Sequence, residues 1–411
     1  VRVSATYHGN RYPVFHGQIK SFQTNEGDNP TVTIECEDGM RLLYNATANI
    51  PVTQNIDPYD AVLKMLVELN WPLMYSYRRT GGAWGSIPYW WADGTAMNEV
   101  VKINDSFGSM IWVDANGDVV YNNIIGGGDS AVMNYGIEYT ATQLTQADCL
   151  KNITIPNNWD AVKSKYRLYI NPVSLQVAID LWTATDVLQL AAGAKSEIFG
   201  TYTYNAETIR AINIVAPVAT TDYLANSLAD GSGTNMTSSV SVLAYDFGNA
   251  AKFTITNNHA TDTAFITLLK IRGDGLVNGN RSYIEDTDAA AEALYGKHQI
   301  IVNQPFLQTY TQAQDTAVSF ARVIGYTPTI QVQIRGRKDI QFMRDIFNGN
   351  MLKLDNFGID IQDPTGVSTE DPIHSAAVYQ YIYAYVEHEW MSANGQDVLT
   401  TYLIEDIYSG A

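Results

Sequence analysis

The chain has 411 residues, of which 46% are hydrophobic and 17% are charged, and its formal net charge is −18. This length suffices for several domains with cores of their own, and the two distant cysteines, Cys36 and Cys149, exclude a disulfide framework. The absence of a basic stripe argues against a protein that grips nucleic acid, because neutralising phosphates needs clustered cations, and the absence of a long apolar run predicts no membrane span.

The first 45 residues are predicted to form β-strands. The segments VRVSATYHG, YPVFHGQIKSFQ and TVTIECED are rich in Val, Ile, Thr and Tyr and alternate apolar with polar residues. Gly9-Asn10 and the run from Gly27 to Pro30 supply turn residues between them. A small antiparallel sheet or barrel is therefore expected at this end of the chain.

Two helices follow, separated by a predicted loop, RRTGGAWGSIPYWW, that is rich in glycine and aromatic residues. The first helix, DPYDAVLKMLVELN, has Asp57 as a suitable N-cap and Pro58 at the first helical position. The second runs from about Thr95 to Phe107 and ends at Gly108. Apolar stripes support both helices: Val62, Met65, Leu66 and Leu69 in the first, and Met97, Val100, Val101 and Ile103 in the second.

A β-hairpin is predicted in SMIWVDANGDVVYNN, where two short strands flank Asn116-Gly117. The run from Asp114 to Asp118 resembles the start of a calcium-binding loop, but Ile125 stands where the bidentate glutamate belongs. Because an Asn-Gly turn already explains these residues, we interpret the segment as a turn and predict no metal site there.

Strands continue over residues 150–180, and the composition then changes. Between residues 185 and 280 Thr, Ala, Asn and Ser dominate, with β-patterned runs at TIRAINIVAPVA, SSVSVLAYDFG, AAKFTITNNHA and AFITLLKIRGDG. Short strands separated by turn residues predict a β-sandwich. We interpret the sandwich as an insertion, because the sequence after residue 280 resembles in character the sequence before residue 185. Arg272-Gly273-Asp274 matches a cell-adhesion tripeptide, but we interpret it as a β-turn that ends a strand.

After residue 280 the pattern predicts one helix and several strands. The helix spans about Thr311 to Ile324 and ends at Gly325, and strands are predicted at TPTIQVQIRG and NMLKLDNFGIDIQ. The final segment is predicted as a hairpin whose first arm carries aliphatic residues on one face and tyrosines on the other. Because tyrosine combines apolar area with a polar tip, the tyrosine face is a candidate interface: Tyr379, Tyr381, Tyr383 and Tyr385.

The sequence carries no recognised catalytic motif. It contains no phosphate-binding glycine loop and no HExxH or GxSxG pattern, and its six histidines are dispersed, so we predict no catalytic residues, no metal ligands and no cofactor. Tyr295-Gly296-Lys297 is interpreted as a structural corner, because a glycine at a chain reversal needs no ligand. The aromatic loop offers a second candidate interface: Trp84, Tyr89, Trp90 and Trp91.

The order of these segments resembles the minor tail proteins of tailed bacteriophages, of the baseplate-hub or tail-tip type. VRVSATYHGNRYPVFHGQIKSFQ looks like the opening barrel of that family, and TVTIECEDGMRLL looks like the strand that leads out of it. The two helices with MIWVDANGDVVYNN look like its helix–helix–hairpin module, and DFGNAAKFTITNNHATDTAFITLLKIRGDGL looks like the β-sandwich insertion of some members. ALYGKH resembles a Tyr-Gly-Arg/Lys corner, with Lys297 where arginine is commoner.

The resemblance implies a fold that is mainly β with a few helices (β + α/β). Its parts would be tail-tube-like β-barrel domains, a small helix–hairpin domain and an inserted β-sandwich. On this division residues 1–50 begin the first hub barrel, residues 51–150 form the helix–helix–hairpin module, and residues 185–280 form the sandwich. Residues 151–184 and 281–411 form the second hub barrel with its helix.

The resemblance also implies a structural, non-enzymatic role at the tail tip of a virion. Such proteins close the distal end of the tail tube as homo-oligomers, usually trimers. Their partners are the distal tail or tail tube protein, the tape measure protein and a receptor-binding fibre or spike, while DNA passes nearby without specific binding.

Two alternatives remain at this stage. The sandwich and the Trp84–Trp91 loop could form a glycan- or receptor-binding adhesin of the tail tip, since aromatic side chains stack on sugars. A glycan-degrading enzyme is supported only by the abundance of Asp, Glu and aromatic residues.

Overall fold

The computed structural model describes residues 1–7, 9–27, 30–71, 77–80, 85–123, 143–145, 163–323, 329–335, 352–355, 380–390 and 398–406. Over these residues the chain is mainly β with five helices, as predicted. Closure of a barrel is not seen among the sheets of the described residues, so the tail-tube-like barrels stay a prediction.

The first described strands form two antiparallel hairpins, as the alternating pattern predicts. Their strands are β1 (Arg2–Tyr7), β2 (Asn10–His16), β3 (Gln18–Asn25) and β4 (Thr31–Glu37). A short helix, α1 (Met40–Asn45), follows where strands were expected, so the prediction of strands up to residue 45 was wrong. The Asp38 carboxylate accepts a hydrogen bond from the Met40 N–H, and the Leu43 side chain is fully buried. The hydrogen bond and the burial of Leu43 together favour a helical turn over a strand.

The two predicted helices are confirmed as α2 (Pro58–Glu68) and α3 (Ala96–Phe107). The Asp57 carboxylate accepts the Tyr59 N–H at 2.8 Å, as expected of an N-cap. Gly108 ends α3 in the left-handed conformation, with φ 59°. Val101 departs from the predicted stripe, because it is 38% exposed while Val100 is fully buried.

The segment between these helices contains two strands, so its prediction as a loop was wrong. These are β6 (Tyr77–Thr80) and β7 (Ile87–Ala92), and β7 pairs antiparallel with β5 (Ile50–Ile56). Ile87, Trp90 and Ala92 are fully buried in the same core as α2 and α3. The burial of these three side chains outweighs the local preference of the glycines for a loop.

The predicted Asn-Gly hairpin is confirmed as β8 (Ser109–Val113) and β9 (Val119–Asn123). One carboxylate oxygen of Asp114 accepts the N–H groups of Asn116 and Asp118, which closes the turn. His16 lies against this turn, with its Nδ1 2.5 Å from the Asn116 carbonyl oxygen. Asp114 thus holds a turn together, as the interpretation of this segment required.

The sandwich consists of two packed sheets that share one core. The strands of the first sheet are β12 (Val173–Thr183), β13 (Leu188–Leu190), β17 (Arg210–Val215), β18 (Tyr223–Asn226) and β21 (Ala264–Asn278). The strands of the second sheet are β14 (Lys195–Thr201), β19 (Val240–Asp246) and β20 (Ala250–Asn257). A separate two-stranded ribbon consists of β15 (Thr203–Tyr204) and β16 (Glu207–Thr208). Leu181, Phe253 and Ile271 are fully buried between the sheets. Because β12 pairs with β21, the core reaches back before residue 185.

The Arg272-Gly273-Asp274 tripeptide lies inside β21, so its interpretation as a strand-ending turn was wrong. The Arg272 guanidinium donates two hydrogen bonds, of 2.6 and 2.9 Å, to the buried carboxylate of Asp222. A Cβ on Gly273 would lie 2.9 Å from side-chain carbons of both Ile214 and Leu181, so any other residue would force these side chains to move. The tripeptide is therefore explained by the packing of the sandwich.

Substituting Asp222 with asparagine is expected to destabilise the protein and to weaken its sensitivity to acid. Burial disfavours the ionised carboxylate, but hydrogen bonds from Arg272 and the Val218 N–H hold the pKa of Asp222 below its usual value. A lowered folded-state pKa contributes stability above about pH 4, and this contribution is lost as the pH falls through the folded-state pKa. Thermal unfolding from pH 7 downward should therefore give a lower and flatter Tm profile for Asp222→Asn.

Asp186→Asn provides the matched control, because Asp186 is an exposed aspartate of the same sandwich. Its Tm profile should follow the wild type. Identical profiles for wild type and Asp222→Asn would show that the ion pair contributes nothing to stability.

A third unit packs α5 (Tyr310–Val323), the predicted helix, against β11 (Lys165–Ile170). Strand β11 lies in the middle of a three-stranded sheet, between β22 (Ser282–Thr287) and β23 (Gln299–Val302). The helix α4 (Ala289–Tyr295) lies between β22 and β23 in sequence. Leu168, Leu307 and Ala313 are fully buried there.

The remaining described strands form a five-stranded sheet in the order β10-β25-β26-β27-β24. They are β10 (Gln143–Thr145), β24 (Thr329–Arg335), β25 (Leu352–Asp355), β26 (Gln380–Trp390) and β27 (Val398–Asp406). The predicted final hairpin is confirmed as β26 and β27. None of the described helices is both long and apolar enough to cross a membrane.

Candidate functional site

The hairpin of β3 and β4 carries the most exposed of the large apolar side chains described in the first 40 residues. Phe22 is 72% exposed, and Ile19, Val32 and Ile34 are between 51% and 59% exposed. Phe22 pairs directly with Ile34, and Thr24 pairs with Val32, so these side chains share one face of the hairpin. We name this set (Ile19, Phe22, Val32 and Ile34) the hairpin apolar face.

The opposite face of the same hairpin is polar. Ser21 donates a 2.8 Å hydrogen bond to Glu35, and Gln23 pairs with Thr33. TVTIECE alternates apolar with polar residues, and a register shift between Ile19 and Ser21 brings Ile19, opposite Cys36, onto the same face as Phe22. Every residue of β3 is exposed, so its apolar side chains belong to no core within the described residues.

The base of the hairpin is fixed by charged side chains. The Lys20 ammonium lies 2.8 Å from a carboxylate oxygen of Glu37, and Arg41 lies 3.2 Å from the other. The hydrogen bond from Lys20, together with the nearby charge of Arg41, lowers the pKa of Glu37. The hairpin is thus anchored at its base while its apolar face is open to a partner.

Neither outer edge of this hairpin pairs with another strand among the described residues. An isolated two-stranded hairpin is at best marginally stable in water, and its free N–H and C=O groups favour the addition of a further strand. The hairpin therefore combines an exposed apolar face with two unpaired edges.

The predicted aromatic interface divides into buried and half-buried residues. Trp84 lies outside the described residues, and Trp90 is fully buried in the core of its own chain, so it offers no surface to a partner. Tyr89 and Trp91 are half-buried. The backbone N–H and C=O of Tyr89 both hydrogen-bond to the side-chain amide of Gln308, at 3.0 and 2.7 Å.

Trp91 lies where β7 meets the sandwich. The Arg210 guanidinium carbon is 5.0 Å from the centroid of the Trp91 ring system, and Arg210 also forms an ion pair with Asp93. Phe306 contacts the indole edge-on, with ring centroids 5.6 Å apart. Burial lowers the pKa of Arg210, but its usual value is so high that the group stays charged beside Asp93. These contacts fix the indole in one orientation.

The Tyr295-Gly296-Lys297 corner begins at Tyr295, the last residue of α4. Gly296 has φ +84°, a conformation that favours glycine, and its N–H donates to the Glu292 carbonyl oxygen. Ser164 donates a 3.0 Å hydrogen bond to the Gly296 carbonyl oxygen, and a His298 ring nitrogen lies 3.0 Å from that of Tyr295. The structural role of this corner stays a prediction that these contacts support.

The predicted tyrosine interface lies on β26, apart from Tyr379, which is outside the described residues. Tyr381 pairs with Asp406, Tyr383 with Ile404 and Tyr385 with Leu403. The register shifts between Tyr383 and Tyr385, which interrupts the regular alternation on which a shared face depends. The tyrosine face stays a prediction.

Titratable groups do not cluster into a metal site among the described residues, since no three His, Cys, Asp or Glu side chains there could hold an ion. Glu99 is a buried carboxylate that pairs with Lys102 at 2.8 Å, and its second oxygen has no hydrogen-bond partner. A single carboxylate of this kind is not the paired acid and base of glycoside hydrolysis.

The hairpin apolar face was not singled out from the sequence, although a signal for it exists. Both segments were recognised as strands, but the register shift that brings Ile19 beside Phe22 on one face is not visible in the sequence. Alternation shows which residues share a face but does not show whether another layer covers that face. Only the tertiary structure shows that Phe22 and Ile34 have no cover within the described chain.

No protein-family model matches this sequence, and no curated protein sequence matches it either. Solved structures similar to this chain over almost its whole length include three tail proteins. The 43 kDa tail protein of prophage MuSo2 from Shewanella oneidensis shares 9% identity at a TM-score of 0.45, covering 99% of this chain and 83% of its own. The tail protein from Neisseria meningitidis MC58 shares 11% identity at a TM-score of 0.48, covering 98% and 83%. Prophage tail protein gp18 from Listeria monocytogenes EGD-e shares 8% identity at a TM-score of 0.41, covering 97% and 78%.

Proposed function

We propose that this chain is a structural, non-enzymatic protein of a bacteriophage tail, and that within the tail it is a subunit of the baseplate hub at the tail tip. The observation that carries the proposal is the hairpin apolar face, which is exposed on an otherwise anchored hairpin. Exposed apolar surface of this kind marks an interface between protein subunits. The segment order of the sequence supports the assignment to the hub.

The burial of this face can drive self-association of the chain. Four such side chains contribute about 1.5–3 kcal/mol each when fully buried. Their sum is comparable with the roughly 4–15 kcal/mol that association costs in lost freedom. In a two-fold pair the faces of the two subunits cover each other, and in a ring each face packs against the next subunit, so burial of this face is compatible with either symmetry. We propose a trimer, the state that the family resemblance implies.

The charge of the chain suits a wall beside DNA. A formal net charge of −18 repels phosphates, so DNA would pass without binding. The remaining partners follow from the proposed position: the distal tail or tail tube protein, the tape measure protein, and a receptor-binding fibre or spike.

Gold-labelled antibodies against this chain, applied to intact phage particles, test the proposal by electron microscopy. Label confined to the distal tip of the tail is the expected result. Label along the whole tube would contradict the hub position, and label on the capsid or on no part of the particle would contradict a role in the tail.

A further inference from the structure

A solvent-open groove lies where the sandwich meets β7 and the segment before α5. It has a volume of about 440 Å³ and is lined by Trp91, Asn171, Asn278, Arg281, Asn303 and Pro305, among others. A second hollow of about 200 Å³ shares Trp91 and Asn278 with it and continues toward Arg210. The larger volume falls within the roughly 300–1,000 Å³ of small-molecule sites.

The polar lining of the larger groove consists mainly of side-chain amides. An amide offers donors and an acceptor side by side, which suits a ligand with adjacent hydroxyl groups. The Asn171 amide donates to Asn303 and to the Gln304 carbonyl oxygen, at 3.3 and 2.9 Å, and so supports the wall on that side. Asn278 is exposed and makes no side-chain hydrogen bond within the described part of the chain.

Arg281 supplies the charge of this groove. Its guanidinium carbon lies 4.4 Å from the centroid of the Tyr169 ring, and it has no carboxylate partner among the described residues. No aspartate or glutamate lines the larger groove. A stacked guanidinium keeps its N–H edge free for bidentate binding of a carboxylate or phosphate. The groove is thus a locally positive site on a chain of net charge −18.

Trp91 supplies the apolar wall. Its indole is half-buried and is fixed by the contacts with Phe306 and Arg210. The groove therefore suits a ligand ring with one apolar face and with hydroxyl and anionic groups at its edge. The apolar face of such a ring can pack against the indole, while the amides and the guanidinium bind its polar groups.

We propose that this groove binds an acidic saccharide, with a sugar ring against Trp91, its carboxylate or phosphate on Arg281, and its hydroxyls on Asn278 and Asn303. This inference goes beyond the structural role and is independent of it. It shares the sandwich and Trp91 with the adhesin alternative, but it places the ligand in one groove that also needs Asn303 and Pro305 of the segment before α5.

Calorimetric titration of the full chain tests the inference with four probes. A galacturonic acid trimer carries carboxylates, a glucosylated glycerol-phosphate oligomer carries phosphates, maltotriose is neutral, and adenosine monophosphate is an anionic ring that is not a saccharide. At least one acidic saccharide should bind about tenfold more tightly than maltotriose, and the preferred one identifies the anion. Arg281→Ala should remove this preference.

Variants separate binding from folding. Asn278→Ala changes an exposed residue and should weaken binding of the preferred probe without changing Tm. Trp91→Ala should weaken the binding of acidic and neutral saccharides alike. The Tm of this variant shows how far the loss of the Phe306 contact disturbs the fold. Arg11→Ala and Tyr245→Ala, exposed residues away from the groove, should bind as the wild type does.

Three results would overturn the inference. One is the absence of binding by both acidic saccharides up to about 10 mM, where the binding free energy is below about 3 kcal/mol in magnitude. Another is binding that survives unchanged in both Arg281→Ala and Asn278→Ala. The third is adenosine monophosphate binding more tightly than either acidic saccharide.

Discussion

Alanine in place of Trp90 is expected to lower the free energy of unfolding by about 3–5 kcal/mol, the range for removing a large aromatic side chain from a core. Trp90 is fully buried in the core formed by β7, α2 and α3. The side chain is too large for its neighbours to fill the space that it leaves, so both burial and packing are lost. Chemical denaturation of wild type and variant, followed by circular dichroism, measures the difference.

Two further variants show whether the loss arises from the core. Tyr44→Ala removes an aromatic ring that is 60% exposed, and its effect should stay within about 0.5 kcal/mol. Trp90→Phe should lower the free energy of unfolding less than Trp90→Ala does, because it keeps an aromatic ring and removes an indole N–H that has no hydrogen-bond partner. A cost for Trp90→Ala as small as that of Tyr44→Ala would contradict the described core.

Placing aspartates at both Phe22 and Ile34 is expected to weaken self-association at least about 100-fold. These residues face each other across the hairpin, and each would contribute about 1.5–3 kcal/mol when buried in an interface. The new carboxylates would also have to be desolvated on association. Sedimentation velocity over a range of concentrations measures the change in oligomeric state.

Thr33→Asp is the matched control, since Thr33 pairs with Gln23 on the polar face of the same hairpin. It adds a carboxylate next to Ile34 in sequence, on the opposite face of β4, and leaves the hairpin apolar face unchanged. The double variant should sediment as a monomer under conditions in which wild type and Thr33→Asp are oligomeric. Equal association of all three proteins would exclude the hairpin apolar face as an interface.

The elements with strong local signals were predictable from the sequence. Asp57 and Pro58 mark the start of α2, Gly108 marks the end of α3, and Asn116-Gly117 marks the turn between β8 and β9. Each signal acts within a few residues, because caps and tight turns depend on local backbone hydrogen bonds. Four strands of the sandwich, β17, β19, β20 and β21, were likewise recognisable from their β-patterned sequences.

The elements that depend on distant partners were not predictable. β7 was expected to be a loop, and its pairing with β5 and the burial of Trp90 depend on residues more than 30 positions away. Arg272 was assigned to a turn because its partner Asp222 lies 50 residues earlier in the chain. The groove beside Trp91 also brings together side chains from separate units, and no single stretch of sequence contains it.

Electron cryomicroscopy of the purified wild-type chain tests most directly whether the exposed hairpin joins copies of this protein. The proposed function predicts a closed ring, three-fold in the simplest case, in which Phe22 and Ile34 of every copy are covered by a neighbouring subunit. Monomers at micromolar concentration, or a ring whose hairpins all extend into solvent, would contradict it.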